Sequence, residues 1–221
     1  MLPDRFTFID DTNRGQHYYL EPGDRCVFYG EYFAGKGYQG GDTNQLIHNL
    51  KIKPTALQKN PARARYKNGA IKGVAAKLAH LPQNDKQGWT WVPVPTSKCP
   101  GHPDYDPRLL QILTTAFQGA GADVRPLLRQ TASTEADHEA ASRIDPDELY
   151  ALLEVDVALL GQQPIRGKGI IVFDDVLTTG KHFRACVRRL REVVPEATPI
   201  IGMFVARRVI DVSADFEDLT V

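Results

Sequence analysis

Apolar residues along this chain fall into short uncharged blocks, expected as strands, and longer stretches where they recur at helical spacing. Cys26, Val27, Phe28 and Tyr29 form the first block and predict a strand over 24–29. Leu46, Ile47 and Leu50 follow behind a cap at Asp42 or Thr43, predicting a helix over 43–50. Pro54 and Pro61 interrupt, and Ile71, Val74, Ala75 and Leu78 then line one face of a helix over 70–81. The alternating run over 89–94 reads as the first strand of a main sheet. A helix over 106–119 carries Leu109, Leu110, Ile112, Leu113, Ala116 and Phe117 and ends at Gly119 or Gly121. A short strand over 123–128 leads into the polar segment 129–146, expected as a loop with a short helical piece over 136–142. A loop this long suits a flap over a site. Residues 147–153 read as a turn or two of helix.

The block from Gly169 to Phe173 has no charge and is mostly β-branched or aromatic, as in a strand buried on both faces. Past a turn, Phe183, Val187, Leu190, Val193 and Val194 predict a helix starting near Lys181, with Arg184, Arg188, Arg189 and Arg191 toward solvent. Pro195 and Pro199 end it, and 200–206 is a further buried strand. Strands alternating with helices predict an α/β fold with a mostly parallel sheet flanked by helices, its ligands at the strands' carboxyl ends. The helices before residue 86 form an amino-terminal subdomain over 1–85, and 86–221 the main domain.

Length supports one sizeable core with an appended subdomain. No run of about 18 apolar residues and no leader pattern occurs, so the chain is expected to be cytoplasmic, away from membranes. Cys26, Cys99 and Cys186 are far apart and lack metal-ligand spacing, which favours reduced thiols. The 27 basic and 27 acidic residues cancel, but unevenly. No acid occurs between Thr43 and Asn84, where Lys51, Lys53, Lys59, Arg63, Arg65, Lys67, Lys72 and Lys77 lie, whereas 135–156 is strongly acidic. Such asymmetry marks an anion-binding face, a nucleic-acid surface, or two segments that meet in the fold. Net neutrality argues against a large sequence-independent nucleic-acid footprint.

The chemistry concentrates after the Gly169 block. Adjacent residues at a strand's end point to opposite sides, so Asp174 and Asp175 can serve different partners. Over Val176, Leu177, Thr178, Thr179 and Gly180 the backbone can turn N–H groups toward an anion, helped by the positive helix end at Lys181 and His182. Carboxylates for sugar hydroxyls beside a phosphate cradle suit a ribose 5-phosphate. At the end of the 89–94 strand, Thr96, Ser97 and Lys98 can place a hydroxyl, backbone N–H groups and an ammonium on one anion, or form an ordinary proline-containing turn. The run Gly35, Lys36, Gly37, Tyr38, Gln39, Gly40, Gly41 is no P-loop and reads as a mobile loop; 1–23 holds little signal.

The run Gly169–Ala185 resembles the phosphoribosyl pyrophosphate (PRPP) signature of type I phosphoribosyltransferases: a hydrophobic strand, two acids, two aliphatics, two hydroxyl residues and a glycine. His182 stands where Thr or Ser is common. Within that superfamily the chain is most similar to the competence protein F (ComF) family. That likeness rests on Leu50 and Lys51 before a basic helical region, on Val92, Pro93, Val94 and Pro95 before the helix that follows Asp106, and on the signature. The family's amino-terminal cysteine zinc module is absent, and Tyr105, Asp106, Pro107 and Arg108 lie where it has an Arg-Gly pair.

The resemblance implies a type I phosphoribosyltransferase-like sheet with an amino-terminal hood, and an enzyme moving ribose 5-phosphate from PRPP to a nitrogen nucleophile. Asp174 and Asp175 would then hold the ribose hydroxyls, Val176 to His182 the 5-phosphate, and Thr96, Ser97 and Lys98 the departing pyrophosphate. Magnesium (Mg2+) would bridge PRPP's pyrophosphate and ribose, near Asp174 and Asp175. The acceptor is not legible. The alternative is a non-catalytic PRPP or nucleotide sensor whose Lys51, Lys59, Arg63, Arg65 and Lys67 contact nucleic acid or a protein partner. A homodimer is compatible with both.

Overall fold

The computed structural model describes residues 2–134 and 146–210. In chain order its elements are β1 (Thr7–Phe8), β2 (Arg25–Phe33), α1 (Asp42–Leu50), α2 (Pro54–Lys59), α3 (Ala64–Ala79), α4 (Gln83–Gly88), β3 (Trp89–Pro93) and α5 (Arg108–Ala116). They continue as β4 (Asp123–Val124), β5 (Leu128–Gln130), α6 (Pro146–Ala151), β6 (Leu153–Val155), α7 (Val157–Gly161), β7 (Gly169–Leu177), α8 (Lys181–Arg191) and β8 (Ile200–Val209).

The α/β sheet is six-stranded in the order β1-β2-β8-β7-β3-β4, parallel except where β1 meets β2. β7 lies inside it, buried on both faces at every position except Asp174, which explains its uncharged sequence. The strand runs past the expected Phe173, because Asp174, Val176 and Leu177 keep their register with Phe204, Ala206 and Arg207 of β8. Trp89 does not open the main sheet: β2 precedes it and pairs with β8 from Arg25↔Ile201 to Phe33↔Val209. Residues on both sides of the expected boundary at 85 thus share one sheet and one hydrophobic cluster.

Local chemistry accounts for the other departures. Pro54 and Pro61 start elements rather than interrupting, since a first helical position needs no N–H; Pro54 opens α2 and Pro61 a single 3-10 turn. That lets α3 begin at Ala64, ahead of the expected 70. Gly41, not Asp42 or Thr43, is the N-cap of α1, and Asp42 enters the first turn, where an acid favours the helix dipole. A 3-10 turn, Gly37–Gly40, occupies part of the expected mobile loop. The strand expected over 123–128 is split: Pro126 cannot donate to a ladder, so β4 stays in the main sheet while β5 pairs antiparallel with β6. Arg129, expected in the flap, is therefore in a strand, and the expected helical piece over 136–142 lies outside the described residues. The helix expected from 106 begins at Arg108, and α8 stops at Arg191, leaving Val193 exposed. All three cysteines are free, and no described helix is long and apolar enough to cross a membrane.

Candidate functional site

Because β3 and β7 are parallel neighbours, their carboxyl ends lie together. Pro93 sits opposite Phe173, and the Val94 N–H donates to the Phe173 carbonyl at 2.9 Å. The loop holding Thr96, Ser97 and Lys98 thus leaves the sheet beside Asp174 and Asp175.

The two acids face different surroundings, as alternation requires. Asp175 is buried between two cations from distant elements. Lys51, just past α1, places Nζ 3.0 Å from Oδ1; Arg108, opening α5, donates from Nη2 at 2.5 Å and from Nε at 3.0 Å to Oδ2. Arg108 also donates from Nη1 to Asp106 Oδ2 at 3.1 Å, and Asp106 accepts from buried Lys67 at 2.6 Å. Lys67 completes its shell on the carbonyls of Leu50 and Ile52, at 2.9 and 2.8 Å. Three cations thus face the two carboxylates of Asp106 and Asp175. Asp174 keeps some solvent contact and accepts from the Asp175 N–H at 2.7 Å.

The acidities follow from this placement. Burial alone would raise Asp175, but Lys51 and then Arg108 outweigh it and hold the carboxyl well below the usual range. Burial, then the Asp175 charge, push Asp174 the other way, to about 7. Burial lowers the Lys67 ammonium against the pull of Asp106.

Lys51 and Lys67 therefore sit at the site rather than on the exposed basic surface expected of them. The signal for Lys67 was present: it continues the face set by Ile71, Val74 and Leu78, which marks it for burial. Arg108 stands in the sequence among the residues in place of an Arg-Gly pair, and no local pattern links it to Asp175. On the remaining basic region Lys59 and Arg65 are exposed and Arg63 is half-buried; Arg65 lies 4.6 Å over the exposed Tyr66 ring.

Of the expected phosphate-binding run, Val176 and Leu177 belong to β7 and are buried, leaving Thr178, Thr179 and Gly180 as the turn into α8. Gly180 takes φ +90°, a left-handed value that glycine adopts without strain, and no side chain caps α8. Lys181 is buried in the first turn and His182 is half-buried. The amino-terminal segment lies against this turn: His17 Nδ1 meets the Thr178 carbonyl, and the Tyr19 N–H donates to the Thr179 carbonyl at 3.0 Å.

In the neighbouring loop, Thr96 Oγ1 donates to the Lys98 carbonyl at 2.8 Å, and the Ser97 carbonyl accepts from the Thr134 N–H at 2.8 Å. Thr96 and Lys98 line a cavity of about 210 Å³ with Tyr105, Pro107, Leu128 and Arg129.

Among the described residues no three His, Cys, Asp or Glu converge to hold a metal. Asp175 already carries two cations, so the acid pair forms no all-protein cage for Mg2+, a cation that commonly takes one or two carboxylates together with phosphate oxygens. Comparison with protein-family models and with curated protein sequences finds no match.

Proposed function

We propose that this carboxyl edge binds PRPP and that the protein transfers its ribose 5-phosphate to a nitrogen nucleophile, releasing pyrophosphate. The observation that carries the reading is the parallel pairing of β3 with β7, which sets the 96–98 loop beside the acid pair and the glycine turn. In this reading Asp174, part-exposed, accepts from a ribose hydroxyl. Asp175 stays ionised between Lys51 and Arg108; Oδ2 is taken by both Arg108 donors, and Oδ1, which meets Lys51 alone, keeps a second lone pair. Lys51 and Arg108, paired with Asp175, lend positive charge to this edge, a preorganised electrostatic contribution. With the ribose held between a 5-phosphate at the glycine turn and a pyrophosphate at the 96–98 loop, the chain's work is positioning.

Titration calorimetry with PRPP, with and without magnesium, tests the site, and pyrophosphate release against purines, pyrimidines and ammonia tests the chemistry. Changing Asp174 and Asp175 to Asn together is expected to weaken binding by about 1 to 3 kcal/mol, the scale of charge-assisted hydrogen bonds. Unchanged affinity overturns the assignment.

A second reading is a PRPP or nucleotide sensor that catalyses nothing, its exposed Lys59 and Arg65 meeting a nucleic-acid or protein partner. Two features favour it: Asp175 is neutralised within the protein, and residues 17–20 cover the turn. Binding without release in the same experiment selects it.

A further inference from the structure

Residues 1–23 lack a periodic signal, yet three of them, His17, Tyr19 and Leu20, lie on the turn before α8. His17 is fully buried and holds the Thr178 carbonyl through Nδ1. Tyr19 holds the next carbonyl, that of Thr179, through its backbone N–H at 3.0 Å. Leu20 sits directly on Gly180, where an added Cβ would lie 2.9 Å from its Cγ and Cδ2. Thr179 and Gly180 are closed off from solvent in consequence.

Two polar atoms in this contact lack partners among the described residues: Nε2 of His17, and Oγ1 of Thr179, a residue only 6% exposed. A buried hydroxyl and a buried ring nitrogen left unpaired each cost free energy, so the closed arrangement omits interactions that these groups can make. They lie at the amino end of an eleven-residue helix that no side chain caps, where an anion's oxygens would accept from the Thr179 hydroxyl and, once the ring is protonated, from His17 Nε2–H.

We propose that residues 17–20 form a strap closing this anion site, and that a phosphate group reaches the turn only when the strap lifts. The proposal rests on the ribose-phosphate reading of the turn and adds a gate, with His17 as its latch. The Nδ1–H of His17 donates to Thr178, so Nε2 is bare in the neutral ring. Protonating it would bury an N–H with no acceptor. The charged groups facing it are Arg207 and Arg208 of β8, and Arg207 in turn pairs with Glu31 of β2. Burial first, then those two cations, oppose the imidazolium while the backbone bond to Thr178 favours it; the net effect lowers its pKa. The closed state thus disfavours a proton on His17 and covers the turn from a phosphate, and two ligands that select the same open state favour each other. Once lifted, protonated His17 and the freed Thr179 hydroxyl are donors for phosphate oxygens.

Amide hydrogen exchange on the full chain tests the strap with ribose 5-phosphate as probe. Corrected for intrinsic rate, protection of the Tyr19 N–H is expected to fall about tenfold between about pH 7.5 and 5.5, a range that brackets an ordinary histidine. His17→Asn keeps a donor for Thr178 but does not titrate, and should abolish that pH response. Leu20→Ala should lower protection at both pH values and tighten ribose 5-phosphate binding by the same factor, since apparent affinity scales with the open fraction. Equal binding by wild type and Leu20→Ala, with Tyr19 protection unmoved by ligand, overturns the strap and leaves the ribose-phosphate reading standing. Exchange that follows pH as expected, with no variant binding the probe, upholds the strap and overturns that reading instead.

Discussion

Lys67 shows what a single residue must satisfy to carry charge in an interior. Its ammonium has three acceptors, the Asp106 carboxylate and the carbonyls of Leu50 and Ile52, and almost no water. Removing one member of such a pair leaves the other charge buried, a cost of about 3 to 5 kcal/mol. Lys67→Met is therefore expected to lower unfolding stability in urea by that order, whereas Lys67→Met with Asp106→Asn should cost less than the separate changes summed. The exposed Lys72, on the same helix, should be replaceable by Met almost without effect. Equal effects at positions 67 and 72 would contradict the buried pair.

At the scale of elements, β7 and the turn after it depend on glycines at both ends for different reasons. Gly169 opens β7 at φ +113°, and a Cβ there would meet the Pro199 carbonyl oxygen at 2.2 Å, a backbone atom of the chain entering β8. Gly180 closes the turn at φ +90°, and its Cβ would meet the side chain of Leu20, which can move. Positive φ costs a non-glycine residue about 1 to 3 kcal/mol at either site. Gly169→Ala adds a clash that only a shift between β7 and β8 relieves. Thermal melts should therefore show Gly169→Ala as clearly the more destabilising of the two, and the reverse order would mean that the β7–β8 junction yields more readily than the strap.

Across the whole molecule, the buried titratable groups give stability a pH dependence whose sign can be worked out. Asp174, pushed up to about 7 when folded, binds its proton more tightly in the folded state than in the unfolded. Its contribution is present at low pH and is lost as pH rises from the usual carboxylate range through about 7. His17 is lowered, so its contribution is present above the ordinary histidine range and is lost as pH falls through it. Asp175, also lowered, loses its contribution only in stronger acid. Denaturation of Asp174→Asn beside wild type between about pH 4 and 8 should show the variant gaining relative stability as pH rises, levelling near neutrality. A flat difference would place Asp174 in ordinary solvent contact.

Much of the scaffold was legible because periodicity reports burial. The uncharged run from Ile170 to Phe173 could only be an inner strand, and Ile71, Val74 and Leu78 could only face a core. From these the α/β class, the mostly parallel sheet and the placing of both loops at one edge followed. Strand ends and partners were less legible, since β2 enters the sheet through β8 and Pro126 divides β4 from β5 for reasons of pairing rather than local pattern. The site was half legible: Asp174, Asp175 and the glycine turn stand together in the chain and could be read as a unit. Lys51, Arg108 and His17 could not, because they meet that unit only after folding. A side chain's own sequence neighbours set its helix or strand, but which charge neutralises Asp175, and which segment closes the turn before α8, is decided by distances that exist only in the folded molecule.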